Sequence, residues 1–279
     1  MWENIDKVQE VRFHVSRYSP EKDAKPYVQT FQVPVREGMT VLEGLHYIKE
    51  NLDSSLVWRY SCRMGVCGSC GMLLNGRPTL ACNTQILDIA KGDLTVAPLP
   101  NFDIMRDLAP DLMTMFKKHI ANKPFVIRED EADQNDPSGE YFQTPEQLEE
   151  YLQFSYCIKC GCCMAACPTL ATDAEYMGPM PLTQGHRYSS DTRDGAKKDR
   201  LKVSGTGHGA FRCHYAGECS RACPKGVDPA KAIQHLKRQL VLDYLHLAKQ
   251  HKPCAKQHGP GKGTRDPKIP DAPAKTVGV

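Results

Sequence analysis

Cysteine spacing constrains this chain more than any other feature. Thirteen cysteines fall in 279 residues, and eleven of them stand in three runs: Cys62, Cys67, Cys70 and Cys82; Cys157, Cys160, Cys163 and Cys167; Cys213, Cys219 and Cys223. A secreted disulfide scaffold is one way to use so many cysteines, but such scaffolds are far shorter. The opening residues Met1-Trp2-Glu3-Asn4-Ile5-Asp6 show neither a basic nor an apolar leader pattern and no Arg-rich transit pattern. The expectation is therefore a reducing compartment in which the cysteines are thiolates, with metal ligation the first use to test.

The first run reads C-x4-C-x2-C-x11-C. That spacing is the plant-type signature for a [2Fe–2S] cluster: three thiolates wrap one side from a single loop, and a distant fourth closes the other. Gly65, Gly68 and Gly71 lie among the ligands, where a tight loop needs unusual dihedrals and lets backbone N–H groups approach sulfur. Centres of this type sit at roughly −400 mV. Structural zinc is the rival for four cysteines, but its ligands come as two C-x2–4-C pairs, which this run lacks.

The second run, Cys157 to Pro168, is C-x2-C-x2-C-x3-C-P, the bacterial ferredoxin pattern, whose fourth cysteine ligates the other cluster of a pair. The third run, Cys213 to Pro224, repeats the frame with Ala216 at the second cysteine position. Exchange of the fourth cysteines assigns Cys157, Cys160, Cys163 and Cys223 to a [4Fe–4S] cluster. Cys167, Cys213 and Cys219 remain for a site one thiolate short, which reads as [3Fe–4S] and, with less negative charge, as the centre of highest potential. The rival is a four-iron cluster whose last iron is held by water or another side chain; His214 is nearby but in the wrong slot of the frame. Cys162 falls between ligands and reads as a small buried residue, and Cys254 receives no role.

The fold class expected is α+β. Val11, Phe13 and Val15 alternate with polar residues, as do Phe31, Val33 and Val35, giving two strands. Thr40 and Glu43 form a capping box opening a helix with Leu42, Leu45, Ile48 and Leu52 on its apolar face. Residues 71–75 and 94–98 supply further strands around the cysteine loop. This order resembles the β-grasp plant-type ferredoxin fold, assigned to residues 1–105. A mainly α-helical, bacterial-ferredoxin-like domain follows over 106–251. Its helix starts are Thr144-Pro145-Glu146-Gln147 and Asp228-Pro229, the latter leading Ile233, Leu236, Leu240, Tyr244 and Leu247 at helical spacing. Segment 129–140 is an acidic connection, and 252–279, rich in Lys, Pro and Gly, reads as a disordered or draped tail.

A net charge of +3 gives no basic field of the kind nucleic acid attracts, so no nucleic-acid partner is expected. No apolar stretch approaches the length of a membrane span, so any membrane role needs a separate anchor.

Ser61 to Gly71, Cys157 to Gly161, Phe211 to His214 and Cys219 to Gly226, in this order, resemble the iron–sulfur subunit of succinate dehydrogenase and fumarate reductase over roughly residues 8–250. The resemblance implies a partner flavoprotein with covalent FAD and a haem-containing membrane anchor of cytochrome b type, with the chain peripheral on the cytoplasmic face of a prokaryotic inner membrane. Electrons then run between the FAD and a quinone, with no catalytic acid or base on this chain. It also implies a quinone site at the subunit interface near the [3Fe–4S] centre, carried over to Pro168, Thr169, His214 and Lys237; for Lys237 a solvated surface position stands as the alternative. Ubiquinone-using members carry a tryptophan shortly after the Cys-Pro pair, where this chain has Leu170-Ala171-Thr172. Together with His186-Arg187-Tyr188 this looks more like the menaquinol-using fumarate reductases. Glycolate-oxidase-like iron–sulfur subunits share paired runs, but most lack the upstream C-x4-C-x2-C motif.

Overall fold

The computed structural model of the protein describes residues 9–128, 140–247 and 253–254. The acidic connection and the tail expected from the sequence fall almost wholly outside these residues. Strands β1 (Gln9–Arg17) and β2 (Tyr27–Val35) pair antiparallel with Val11 opposite Val33 and Phe13 opposite Phe31. Period-two alternation puts Val11, Phe13, Val15, Phe31, Val33 and Val35 on one face, and all six are buried. Each such side chain contributes about 1.5–3 kcal/mol on leaving water. Helix α1 (Val41–Tyr47) covers that face. Its capping box is formed: Thr40 Oγ1 accepts from Glu43 N at 3.3 Å, and Glu43 Oε2 accepts from Thr40 N at 2.7 Å.

Leu42, Leu45 and Ile48 are buried as the helical spacing requires, but Leu52 is 48% exposed. The helix widens to π pitch over Ile48–Leu52, with Asp53 N donating to Ile48 O. The wider turn rotates Leu52 off the apolar face. Beyond the cysteine loop come β3 (Gly71–Leu74), β4 (Arg77–Leu80), the short helix α2 (Ile86–Ile89) and β5 (Asp93–Ala97). The sheet order is β2-β1-β5-β3-β4, with β5 parallel to β1 and the other pairs antiparallel. Strand β4 has no counterpart in the sequence reading, although the two-residue Asn75-Gly76 turn that creates it is a strong hairpin signal. A small hairpin, β6 (Ile104–Arg106) and β7 (Ala109–Pro110), ends this half. It is tied back by Asp107, which accepts from buried Arg17 Nε at 3.0 Å and from the N–H groups of Tyr18 and Val57.

The second half is helical: α3 (Met113–Ala121), α4 (Pro145–Ser155), α5 (Cys162–Ala165), α6 (Pro168–Thr172), α7 (Pro179–Ser189), α8 (Lys197–Ser204), α9 (Glu218–Arg221) and α10 (Pro229–Tyr244). Both sequence-level helix starts are present. Thr144 and Gln147 complete a capping box, and Asp228 Oδ1 accepts from Lys231 N at 3.0 Å. Helix α7 is the hub, packed by α3, α4, α8 and α10. Along α10, Ile233 and Leu236 are buried and Leu240 is half-buried. Tyr244 and Leu247, expected on the same apolar face, are 83% and 67% exposed: Tyr244 ends the helix past its last packing partner, and Leu247 lies beyond it, after left-handed His246. Buried Arg200 ties α8 to the segment after α3: it pairs with Asp194 and donates to the carbonyls of Asn122, Lys123 and Phe125. A buried guanidinium is tolerated only when its donors are so occupied. Among the described residues no helix is long and apolar enough to cross a membrane.

Candidate metal centres

The loop between α1 and β3 presents its backbone to sulfur. The N–H groups of Met64, Val66 and Cys67 donate to Cys62 Sγ at 3.5, 3.3 and 3.2 Å, and Gly65 N donates to Cys82 Sγ at 3.2 Å. Arg63 and Gly65 take left-handed conformations, φ 58° and 70°, which turn these N–H groups inward. The donors from Met64, Cys67 and Val66 pull the Cys62 thiol down to about 6, whereas burial pushes Cys70 up to about 12. Cys82 arrives from the end of β4 on a single 3-10 turn, so the hairpin supplies the fourth sulfur from a neighbouring element.

The two later runs are one backbone motif used twice. Lys159 and Gly161 have φ 56° and 85°, and Tyr215 and Gly217 have 60° and 78°. Each pair opens a one-turn helix, α5 carrying Cys163 and α9 carrying Cys219, and the two helices pack on each other. Cys157, Cys160, Cys163 and Cys223 line one cavity. Cys167, Cys213 and Cys219 line another, with Ala216 also in its wall. The chain thus crosses: Cys167 leaves the first run to line the second cavity, and Cys223 does the reverse.

The donor set fits clusters rather than single ions. Among the described residues no three His, Cys, Asp or Glu side chains close on a point that one ion could occupy; the cysteines surround spaces instead. Burial pushes the Cys163 thiol well up, and Cys157 and Cys219 to about 11, so these sulfurs become thiolates only with a cation group between them. Cys162 is fully buried against the N-terminal sheet and hydrogen-bonds to Cys160, which lowers the Cys160 thiol and raises its own.

The halves meet at these loops. A Cβ added to Gly68 (φ 76°) would stand 2.9 Å from both Cα and Cβ of Cys160, so the first loop lies directly on the second site. Asn101 Nδ2 donates to the carbonyls of Met164, Ala165 and Cys167 at 3.0, 3.1 and 3.1 Å, stitching the end of the sheet domain onto α5.

Of the four residues carried over for a quinone, Pro168 and Thr169 line the three-cysteine cavity, with Thr169 buried. His214 is exposed beside Cys213 and is not part of the cavity wall. Lys237 is half-buried and donates from Nζ to Cys213 O at 2.8 Å, so it is not a freely solvated surface cation. Asn101 and Tyr176, which also touch this region, carry no sequence signal: neither belongs to a cysteine frame, and both reach the site only through tertiary contact.

Comparisons with known proteins match both halves of the chain. A family model described as a 2Fe-2S iron-sulfur cluster binding domain matches residues 12–117, and one described as a 4Fe-4S dicluster domain matches 153–227. The fumarate reductase iron-sulfur subunit of Mycobacterium tuberculosis is 47% identical over 223 residues, 80% of this chain and 90% of that protein. The mitochondrial succinate dehydrogenase [ubiquinone] iron-sulfur subunit of Dictyostelium discoideum is 40% identical over 239 residues, 83% of each chain. The fold recurs in a chain of the Mycobacterium smegmatis Sdh1 complex in the apo form, with TM-score 0.76, 24% identity, and coverage of 86% of this chain and 98% of that one. An α+β chain with a [2Fe–2S] domain followed by a dicluster domain, at such identity over most of its length, belongs to the electron-transferring iron–sulfur subunits of the succinate dehydrogenase and fumarate reductase family.

Proposed function

We propose that this chain relays electrons between the covalent FAD of a partner flavoprotein and a membrane quinone through three unlike centres. Cys62, Cys67, Cys70 and Cys82 hold [2Fe–2S]; Cys157, Cys160, Cys163 and Cys223 hold [4Fe–4S]; Cys167, Cys213 and Cys219 hold [3Fe–4S]. The observation that carries this reading is the crossed lining of two neighbouring cavities, four thiols around one and three around the other with Ala216 at the fourth position. The ligand-bearing units are read as a β-grasp plant-type ferredoxin domain over 1–105 and a helical bacterial-ferredoxin-like domain over 106–251, with 252–279 as an appended segment.

When bound, the clusters supply one-electron carriers whose potentials follow charge, exposure and hydrogen bonds to sulfur. The polypeptide supplies the rest. Backbone N–H groups of Met64, Val66 and Cys67 stabilise negative charge on Cys62, and the Gly68 contact holds the first site against the second. Asn101 fixes the second and third relative to the sheet domain. No group on this chain is needed as acid or base toward a dicarboxylate, since that chemistry belongs to the flavoprotein. Pro168, Thr169, His214 and Lys237 form this chain's side of a quinone site, menaquinone by the absence of tryptophan at Leu170-Ala171-Thr172. The site faces a haem-containing cytochrome b anchor, with the complex peripheral on the cytoplasmic side of a prokaryotic inner membrane.

Redox-titrated EPR of the purified complex tests the reading. Three distinct centres are expected, reducible by succinate, with the trinuclear signal titrating at the highest potential. An air-oxidised complex lacking that signal sinks the assignment.

A further inference from the structure

Tyr176 lies in the loop between α6 and α7, held by Lys118 Nζ, which donates to its carbonyl at 2.6 Å. Its side chain is fully buried, and its hydroxyl completes no hydrogen bond of full geometry, interacting only with the Cys213 thiol. Buried tyrosine hydroxyls ordinarily complete a hydrogen bond, so the sulfur beside this one is the acceptor to examine. Tyr176 is part of the wall around Cys167, Cys213 and Cys219, and the hydroxyl faces those three sulfurs. The other polar side chains of that wall are engaged or turned outward: Thr169 hydrogen-bonds to Cys167, Glu218 pairs with Arg221, and Tyr215 is 60% exposed. The rest of the wall is Pro, Ala, Gly and Ile. Sulfur is the acceptor this cavity leaves for Tyr176.

We propose that the Tyr176 hydroxyl donates a hydrogen bond to a sulfur of the cluster held by Cys167, Cys213 and Cys219, and so raises the reduction potential of that centre. The inference rests on the cluster assignment made above. Reduction adds one electron and one unit of negative charge to the cluster, and a donor aimed at sulfur stabilises the reduced form more than the oxidised one. The proton stays on Oη in both states, and no bond is made or broken. Tyr176 is thus a positioning residue for electron transfer, acting in the same direction as the missing thiolate at Ala216.

Tyr176→Phe in the assembled complex keeps the ring and removes the donor. The midpoint of the trinuclear EPR signal is expected to fall by about tenfold in the one-electron equilibrium, ~59 mV, while the other two centres do not move. Pulsed hyperfine spectra of the oxidised centre in H2O and D2O are expected to lose one exchangeable proton coupling. Tyr176 replaced site-specifically by 3-fluorotyrosine, a stronger donor, is expected to move the midpoint upward, and it decides the matter if Tyr176→Phe does not assemble. An unmoved midpoint in the variants, or retention of every exchangeable coupling in Tyr176→Phe, overturns the proposal. A parent complex with no trinuclear signal overturns the cluster assignment itself and this proposal with it. Loss of the assignment is therefore distinguishable from a present cluster that is indifferent to Tyr176.

Discussion

Lys159 and Gly161 in one cysteine run, and Tyr215 and Gly217 in the other, take up the same pair of left-handed conformations, and each pair leads into a one-turn helix with a cysteine on it. Between them stands Cys160 in the first run and Ala216 in the second. The surroundings differ as much as the side chain does. Cys160 to Cys163 are all buried, roofed by the Gly68 loop and the N-terminal sheet, while His214, Tyr215 and Ala216 are exposed. One backbone thus yields a loop packed beneath the sheet domain around Cys160 and a loop exposed at its surface around Ala216.

Exchanging the two differing residues is the most damaging way to break that comparison. Cys160→Ala takes a thiolate from a buried position packed under the Gly68 loop. Electron transfer through the complex is expected to fall by more than the ~100-fold that losing a ligand-supporting hydrogen bond costs at metal sites, read as quinone reduction by succinate. Ala216→Cys adds a thiolate where the frame already accommodates one. One more iron per chain, loss of the trinuclear EPR signal and a lower midpoint are expected; an unchanged signal would mean that position 216 does not set the cluster type.

Acid should open the seam between the repeats before it touches their ligands. Helices α7 and α10, which follow the two runs, meet where His186 stacks on His235, with centroids 5.2 Å apart and planes 7° apart. Burial, the neighbouring His235, and more distant Lys197 and Lys231 depress His186 to about 3 from an ordinary 6.5. Burial also lowers His235. With the folded pKa below the unfolded one, stability is fully present above pH 6.5 and is lost as pH falls toward 3, because the unfolded chain takes up the proton first. The loss for His186 is up to about 1.4 kcal/mol per pH unit. His186→Gln should flatten the pH dependence of the denaturation midpoint; an unchanged slope would mean the seam does not carry the acid response.

The smallest expected effect tests the shared backbone. Lys159→Gly and Tyr215→Gly each relieve a non-glycine residue of a left-handed conformation, worth roughly 1–2 kcal/mol less the roughly 0.5–1 kcal/mol of chain entropy that glycine loses. Equal small gains in thermal midpoint are expected at both positions. A gain at only one would show that the two turns are not equivalent in the folded protein.

Much of this was legible along the chain. The capping boxes at Thr40 and Thr144, the Asp228 cap and the β1–β2 alternation are local patterns that formed where the residues dictated. Leu52 and Tyr244 departed from their apolar faces because a π turn and the end of a packing surface are set by neighbours, not by spacing. Strand β4 is set by the local Asn75-Gly76 turn, a short-range signal like the caps.

By itself the sequence determined the three cysteine frames, the gap at Ala216 and the family, since ligand spacing on a continuous loop is a short-range property that survives without knowledge of the fold. Only the tertiary structure decided that Gly68 lies on Cys160, that Asn101 clamps the α5 carbonyls, that Lys237 binds the Cys213 carbonyl, and that the Tyr176 hydroxyl is left facing three sulfurs. Those contacts join residues distant in the chain, where burial and approach of one element to another, rather than any periodicity, determine what touches what.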